Sequence, residues 1–287
     1  MLKSHPNKSL GDHLIGVANN CKNIILSKKF GNIIINKDVL VNLCYYTGLF
    51  HDIGKATRYF QEYIKNPDKT TTELKNHSNI SALLAFIFIY QNLNSFDVKN
   101  KHIKSLLPYL VYNAIRRHHG CLQDFKRELI FDIGKNTFLQ IEALDIDSLE
   151  QIFENINNEL KIKVYIKDLI LDLRKDDLHL NKNYWVSLAQ NFYFNFFSLE
   201  EYKKLSENEC IQENECIQIY LIQNLIYGTL VLSDRKDVIL NETPQIFDKI
   251  NFEKIEEYRS NKFNFTNQNP IAENRFKSYN DTIDYLE

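Results

Sequence analysis

Histidine and aspartate recur in this chain at places where bulk structure does not ask for them. His13 falls between Leu10 and Val17 on what reads as the apolar face of a helix. His51-Asp52 directly follows the apolar pair Leu49-Phe50, His77 opens an apolar run, and His118-His119 closes another. Far downstream, Asp234 comes four residues after Leu230 and seven after Tyr227, so it shares their inward face and closes a long apolar helix. An ionised carboxylate buried without a partner costs several kcal/mol. Lysine or arginine could compensate it. A divalent cation would do so better, with neutral imidazoles as the remaining ligands. Such a mixed nitrogen and oxygen set suits a transition metal more than Ca²⁺, which takes oxygen shells.

Three of these positions also have a plainer reading, whereas His51-Asp52 sits in the specific context LFHDIGK. A lone histidine such as His13 is more often a hydrogen-bonded core residue than a ligand. The pair His118-His119 could simply complement a helix C-terminus. Asp234 could be a surface residue, since Arg235, Lys236 and Asp237 follow it. Singly these readings win; together the seven side chains favour a metal site.

The elements that must carry these groups are helical. Apolar residues spaced by three and four predict helices over 10–25, 39–50, 57–65, 77–93 and 101–119, with weaker signals over 149–160, 166–173 and 185–197. A long apolar helix is expected over 215–232. The isoleucines of 32–36 could form a short strand and fit a loop edge better. Eight glycines and five prolines are too few for a turn-dense β sandwich, and an all-α fold is expected. From about residue 251 the chain loses its apolar runs and gains Asn, Glu and Tyr. A domain over 1–250 followed by a linker-like extension over 251–287 is therefore expected.

Composition narrows the function classes. With 287 residues, 16 Tyr and 19 Phe, disorder is not expected. The longest apolar run, 82–90, is far short of the roughly 18–20 residues that span a bilayer, and the N-terminus has no secretory core. A soluble, cytoplasmic protein is expected. A net charge of −2 rules out a histone-like binder while leaving room for a local basic groove. Five cysteines without a CxxC pair suggest neither a disulfide framework nor a zinc ribbon. The hexapeptide ENECIQ occurs twice in tandem, at 207–212 and 213–218. Its cysteines, Cys210 and Cys216, could pair as thiolate ligands, though a duplication in a tolerant surface loop explains the repeat better. DIGK at 52–55 recurs at 132–135, and neither copy belongs to a GxxxxGK[ST] phosphate loop.

The segment LFHDIGKATRYFQEYI, with His51, Asp52 and Lys55, resembles the signature of the HD phosphohydrolase superfamily. SLGDHLIGVA with His13, HSNISA with His77, IRRHHG with His118 and His119, and LVLSDRKD with Asp234 stand in the order of one branch. That branch is the HD nuclease domain of the type I CRISPR-associated nuclease-helicase, and the resemblance spans about residues 9–240. The Phe60-Gln61 pair and the double histidine before Gly120 make it fairly specific. Two departures keep every ligand: Ser233 stands where alanine often precedes the aspartate, and Ser81 where glycine is common.

The resemblance implies an all-α HD-domain helical bundle with a two-metal site between helices. One metal would be held by His13, His51, Asp52 and Asp234, and the other by His77, His118 and His119, with Asp52 bridging. Two divalent transition-metal ions are implied, with Mn²⁺, Co²⁺, Ni²⁺ or Fe²⁺ fitting the imidazole-rich set better than Mg²⁺. Asp52 and Lys55 would be catalytic, Lys55 near the scissile phosphate, unless it is merely a solvated lysine. Arg116 and Arg117 could lead a phosphate backbone to the metals, Lys126-Arg127 follow on the next segment, and Tyr59 could stack a base. The implied activity is single-stranded DNA hydrolysis in CRISPR interference, with a guide-RNA surveillance complex and a helicase domain or subunit as partners. No helicase engine is present in the sequence, and the tail resembles the stretch that leads into one. An HD nucleotide or cyclic-nucleotide phosphohydrolase is the first alternative. A non-enzymatic binding module on an HD scaffold is the second.

Overall fold

The computed structural model describes residues 1–31, 33–69, 73–122, 135–174 and 213–239. Nine helices account for nearly all regular structure among them. They are α1 (Leu10–Ser27), α2 (Lys37–Phe50), α3 (Arg58–Lys65), α4 (Ser78–Gln91), α5 (Lys101–Arg117), α6 (Lys135–Glu142), α7 (Ile146–Asn157), α8 (Ile166–Arg174) and α9 (Glu213–Ile239). A two-stranded antiparallel hairpin, β1 (Lys3–His5) and β2 (Lys8–Ser9), precedes them. The all-α expectation holds. The helix expected over 185–197, Lys126-Arg127, Cys210 and the extension from 251 lie outside the described residues, as does the expected domain boundary near 250.

Local sequence sets the helix starts. Ser9, Asn36, Thr57 and Asp145 each accept a hydrogen bond from a backbone N–H of the first turn of α1, α2, α3 and α7. The Asp145 cap starts α7 three residues before the expected 149. Residues 33–36 form no strand, because Asn36 turns the chain into α2. Two expectations need correction. The helix with His118-His119 ends at Arg117, so both rings lie just beyond α5. The long apolar helix does not stop near Asp234 but runs on to Ile239. The charged stretch Asp234–Asp237 reads as an end signal, yet Asp234 and Asp237 share one face, Asp234 meeting His13 of α1 and His51, and Asp237 meeting His13 and Lys8 of the hairpin.

The core is built around α4, which is apolar on every side and therefore surrounded by its neighbours. It packs on α5, while α1 packs on α2 and α9 lies against α1, α2 and α5. Phe50 of α2 stacks on Phe88 of α4 with ring centroids 5.0 Å apart, and Phe153 of α7 closes the cluster. The helix pair α1–α2 approaches very closely at Gly48: a Cβ there would lie 2.8 Å from the Ala18 Cα. That approach brings His13 of α1 to within reach of His51, just past the end of α2, with ring centroids 5.0 Å apart.

Gly48→Ala should therefore force α1 and α2 apart and cost about 1–3 kcal/mol, the usual price of overpacking. A drop in the urea midpoint with unchanged m value would show it.

Candidate metal centre

His51 is the C-cap of α2, and the chain then turns through a 3-10 segment, Ile53–Ala56, that ends where Thr57 caps α3. The turn is sewn in from several sides. The Gly54 N–H donates to Ser81 Oγ of α4 at 2.9 Å. A Cβ at Gly54 would collide with the His77 carbonyl and Ile80, so only glycine lets the turn approach the start of α4 so closely. Ser81, the departure from the common glycine, is thus a partner of the turn. On the opposite side, Arg58 N–H donates to the Ala143 carbonyl and Asp145 N–H to the Ala56 carbonyl, tying the turn to the α6–α7 junction.

This cradle leaves Asp52 at 1% exposure with its two carboxylate oxygens facing different histidine sets. Oδ2 lies 3.0 Å from His13 Nε2 and 3.3 Å from His51 Nε2. Oδ1 lies 2.8 Å from His77 Nε2 and 3.5 Å from His118 Nε2. Asp234 Oδ1 completes the first set, 3.4 Å from His13 Nε2 and 3.5 Å from His51 Nε2. His119 completes the second, its Nε2 3.0 Å from His77 Nε2. The candidate ligand atoms of each group, His13, His51, Asp52 and Asp234 or Asp52, His77, His118 and His119, lie within 4.8 Å of one another. All seven ligand residues expected from the sequence therefore converge.

The donor chemistry fits cations. His51 Nδ1 donates to the Gly48 carbonyl at 2.7 Å, and His118 Nδ1 to the Ile115 carbonyl at 2.6 Å. In a neutral ring each bond fixes the tautomer and leaves Nε2 as a lone-pair atom. Those two Nε2 atoms are buried and find no hydrogen-bond partner among the described residues. Acceptors orphaned in this way are costly unless a cation meets them.

The electrostatics differ between the two groups. Burial opposes the charge on Asp52, but His51, Lys55 and His77 hold its carboxyl well below the usual range. Burial alone would lower His13, but Asp234, Asp237 and Asp52 outweigh it and push the ring up to about 10. Burial brings His77 down to about 4. Burial, with His118 and His77 adding to it, brings His119 down to about 3. In the second group His77 and His119 are thus neutral imidazoles at neutral pH, whereas His13 in the first holds a proton that an entering ion would displace.

Lys55 is not a solvated lysine. It is 4% exposed, its Nζ lies 2.6 Å from Asp52 Oδ2, and it donates to the Ser4 carbonyl. The Phe60-Gln61 pair holds this arrangement. Phe60 packs beneath the Lys55 ammonium and against the His77 ring. Gln61 Nε2 donates to the Lys55 and Lys3 carbonyls, and its Oε1 accepts from Lys3 N–H. The hairpin is thereby clipped over the turn, which places His5 edge-on to His13 with ring centroids 5.1 Å apart. Burial and the charge of Lys55 bring His5 down to about 4. Arg116 and Arg117 end α5, half-buried, directly before His118, with Arg116 stacked over Tyr112. Sequence reasoning missed His5 and Asp237. The short hairpin carries no periodicity signal, and Asp237 resembled one charge in a solvated run.

Residues 10–133 match the family model of the HD domain. HD domains are metal-dependent hydrolases, in keeping with the His and Asp groups that could hold ions here. No curated protein matches the chain. The CRISPR-associated Cas3 HD domain protein from Methanocaldococcus jannaschii is similar to it in structure, at 18% identity and a TM-score of 0.40, over 82% of this chain and 100% of that one. Among the described residues, no helix is long and apolar enough to cross a membrane.

The cation-free protein should be most stable near pH 6.5. Below that value an unfolded histidine, with a pKa of about 6.5, takes up protons that folded His77 and His119 refuse, so stability falls toward pH 4. Asp52 and Asp234, both held low, add to the loss as pH falls further. His13 has the opposite sign: its contribution is full below pH 6.5 and is lost as pH rises through about 10. Urea midpoints in chelator from pH 4 to 10 should therefore form a peak, and a flat profile would contradict these environments.

Proposed function

We propose that this chain is a metal-dependent deoxyribonuclease that hydrolyses phosphodiester bonds in single-stranded DNA, acting in CRISPR interference against foreign DNA. The observation that carries the reading is the division of Asp52, with one oxygen toward each imidazole set. A carboxylate shared in this way would help hold two cations, and paired cations would supply the chemistry of in-line displacement at a phosphodiester. The ordered motifs from His13 to Asp234, with the double histidine and the Phe60-Gln61 pair, support the CRISPR-associated branch of the superfamily.

When bound, the two divalent ions, Mn²⁺, Co²⁺, Ni²⁺ or Fe²⁺ by ligand type, supply Lewis acidity toward phosphate and water. His13, His51 and Asp234 would hold one and His77, His118 and His119 the other. Lys55 sets a fixed ammonium beside Asp52, where charge grows on the phosphoryl oxygens. Arg116 and Arg117 would pair with the DNA backbone as it approaches His118, and Tyr59 would stack an unpaired base. His119 is exposed and Asp234 partly so, which leaves an edge of each group open to a polymer. A helicase domain or subunit would feed strands opened by the guide-RNA surveillance complex.

Cleavage of circular single-stranded DNA, assayed with Mg²⁺, Mn²⁺, Ni²⁺ and Co²⁺ in turn, tests the reading and detects internal cuts. Asp52→Ala should abolish cleavage while circular dichroism remains helical. Lys55→Ala should lower kcat by about 10²-fold or more, the usual loss for one preorganised charge. Hydrolysis of free nucleotides with DNA left intact would assign the chain to the nucleotide phosphohydrolases instead.

A further inference from the structure

We infer that Asp237 is a positioning residue for the first ion group, fixing the ring orientation and tautomer of His13 so that its Nε2 is the ligand atom. The inference rests on the two-ion reading above and concerns a residue outside both ligand sets. Asp237 Oδ2 accepts from His13 Nδ1 at 2.6 Å, across 224 residues of chain. His13 lies in α1 and has no backbone carbonyl on Nδ1 of the kind that orients His51 and His118. Its second nitrogen is instead fixed by a carboxylate from α9. A carboxylate on the outer nitrogen of a ligating histidine holds the ring in place and raises its basicity.

Three neighbours maintain the contact. Asp234 and Asp237 lie one turn apart on α9, so one carboxylate meets Nε2 of His13 and the next meets Nδ1. Lys8, in β2, donates to both the carbonyl and Oδ2 of Asp237, the latter at 2.5 Å, and keeps that carboxylate from turning to solvent. Gly16, one turn after His13 on α1, makes the space: a Cβ there would overlap Asp237 Oδ1. The glycine, the lysine and the two carboxylates are thus one device for aiming one imidazole.

Mn²⁺ titration of the full chain, followed by isothermal calorimetry, and NMR of the Zn²⁺-loaded, ¹⁵N-histidine-labelled chain test this. Wild-type protein should bind two Mn²⁺ and show a protected, far-downfield Nδ1–H signal for His13. Asp237→Ala should weaken one Mn²⁺ by about 10–100-fold, spare the other and abolish that signal. Asp237→Asn, which keeps an acceptor at the same place, should restore the signal and part of the affinity. Gly16→Ala should reproduce the Asp237→Ala result although the carboxylate is still present. Two unaltered Mn²⁺ affinities and an unchanged His13 signal in Asp237→Ala would overturn this inference alone. Failure of the wild type to take up a second Mn²⁺ would overturn the two-ion reading and this inference with it.

Discussion

Asp52 is almost fully buried, carries a charge, and has an imidazole set on each side of its carboxylate. In a low-dielectric interior such a group is tolerated only where opposite charge surrounds it. The rest of the described structure can be read as the means of supplying that surround. Helix α2 delivers His51 at its end, α1 lays His13 alongside, α4 begins at His77, α5 ends before His118 and His119, and α9 brings Asp234. Among the described residues, Lys55 is the one permanent cation in direct contact with the carboxylate.

The two ion groups are built from different materials. The first mixes two carboxylates with two histidines, and its protons are held firmly by neighbouring acids. The second gathers three imidazoles around the other oxygen of Asp52, and burial lowers His77 and His119. Softer imidazole-rich ligation and harder carboxylate-rich ligation favour different partners in the first-row series. A shared Asp52 means that neither group can be altered without changing the electrostatics of the other.

Much of this was legible in the amino-acid order. Periodicity marked α1 to α5 within a few residues, because each buries one apolar face, and α4 was unmistakable because it is apolar throughout. The candidate ligand set could be assembled from the sequence because its histidines and aspartates stand together at the ends of apolar runs and in the order of the motifs they resemble. The hairpin was not, since its strands of three and two residues are shorter than any alternation pattern can reveal. Helix α6 also escaped, having no strong stripe of its own beyond Thr137, Gln140 and Ile141. The end of α9 was misjudged because charges on a helix usually mean solvent, whereas Asp234 and Asp237 point at His13. Gln61 could be noticed as part of a motif, but its role as a clip between the hairpin and Lys55 depends on backbone atoms that side-chain patterns do not describe.

The long separation between His13 and Asp237 has a bearing on biosynthesis. The second ion group uses nothing beyond His119, so it can assemble while the ribosome is still making the later helices. The first group stays one carboxylate short until α9 has emerged and packed against α1. A site arranged in this way remains incomplete in a nascent chain, and truncation between residues 119 and 234 would leave the second candidate group whole and the first without Asp234.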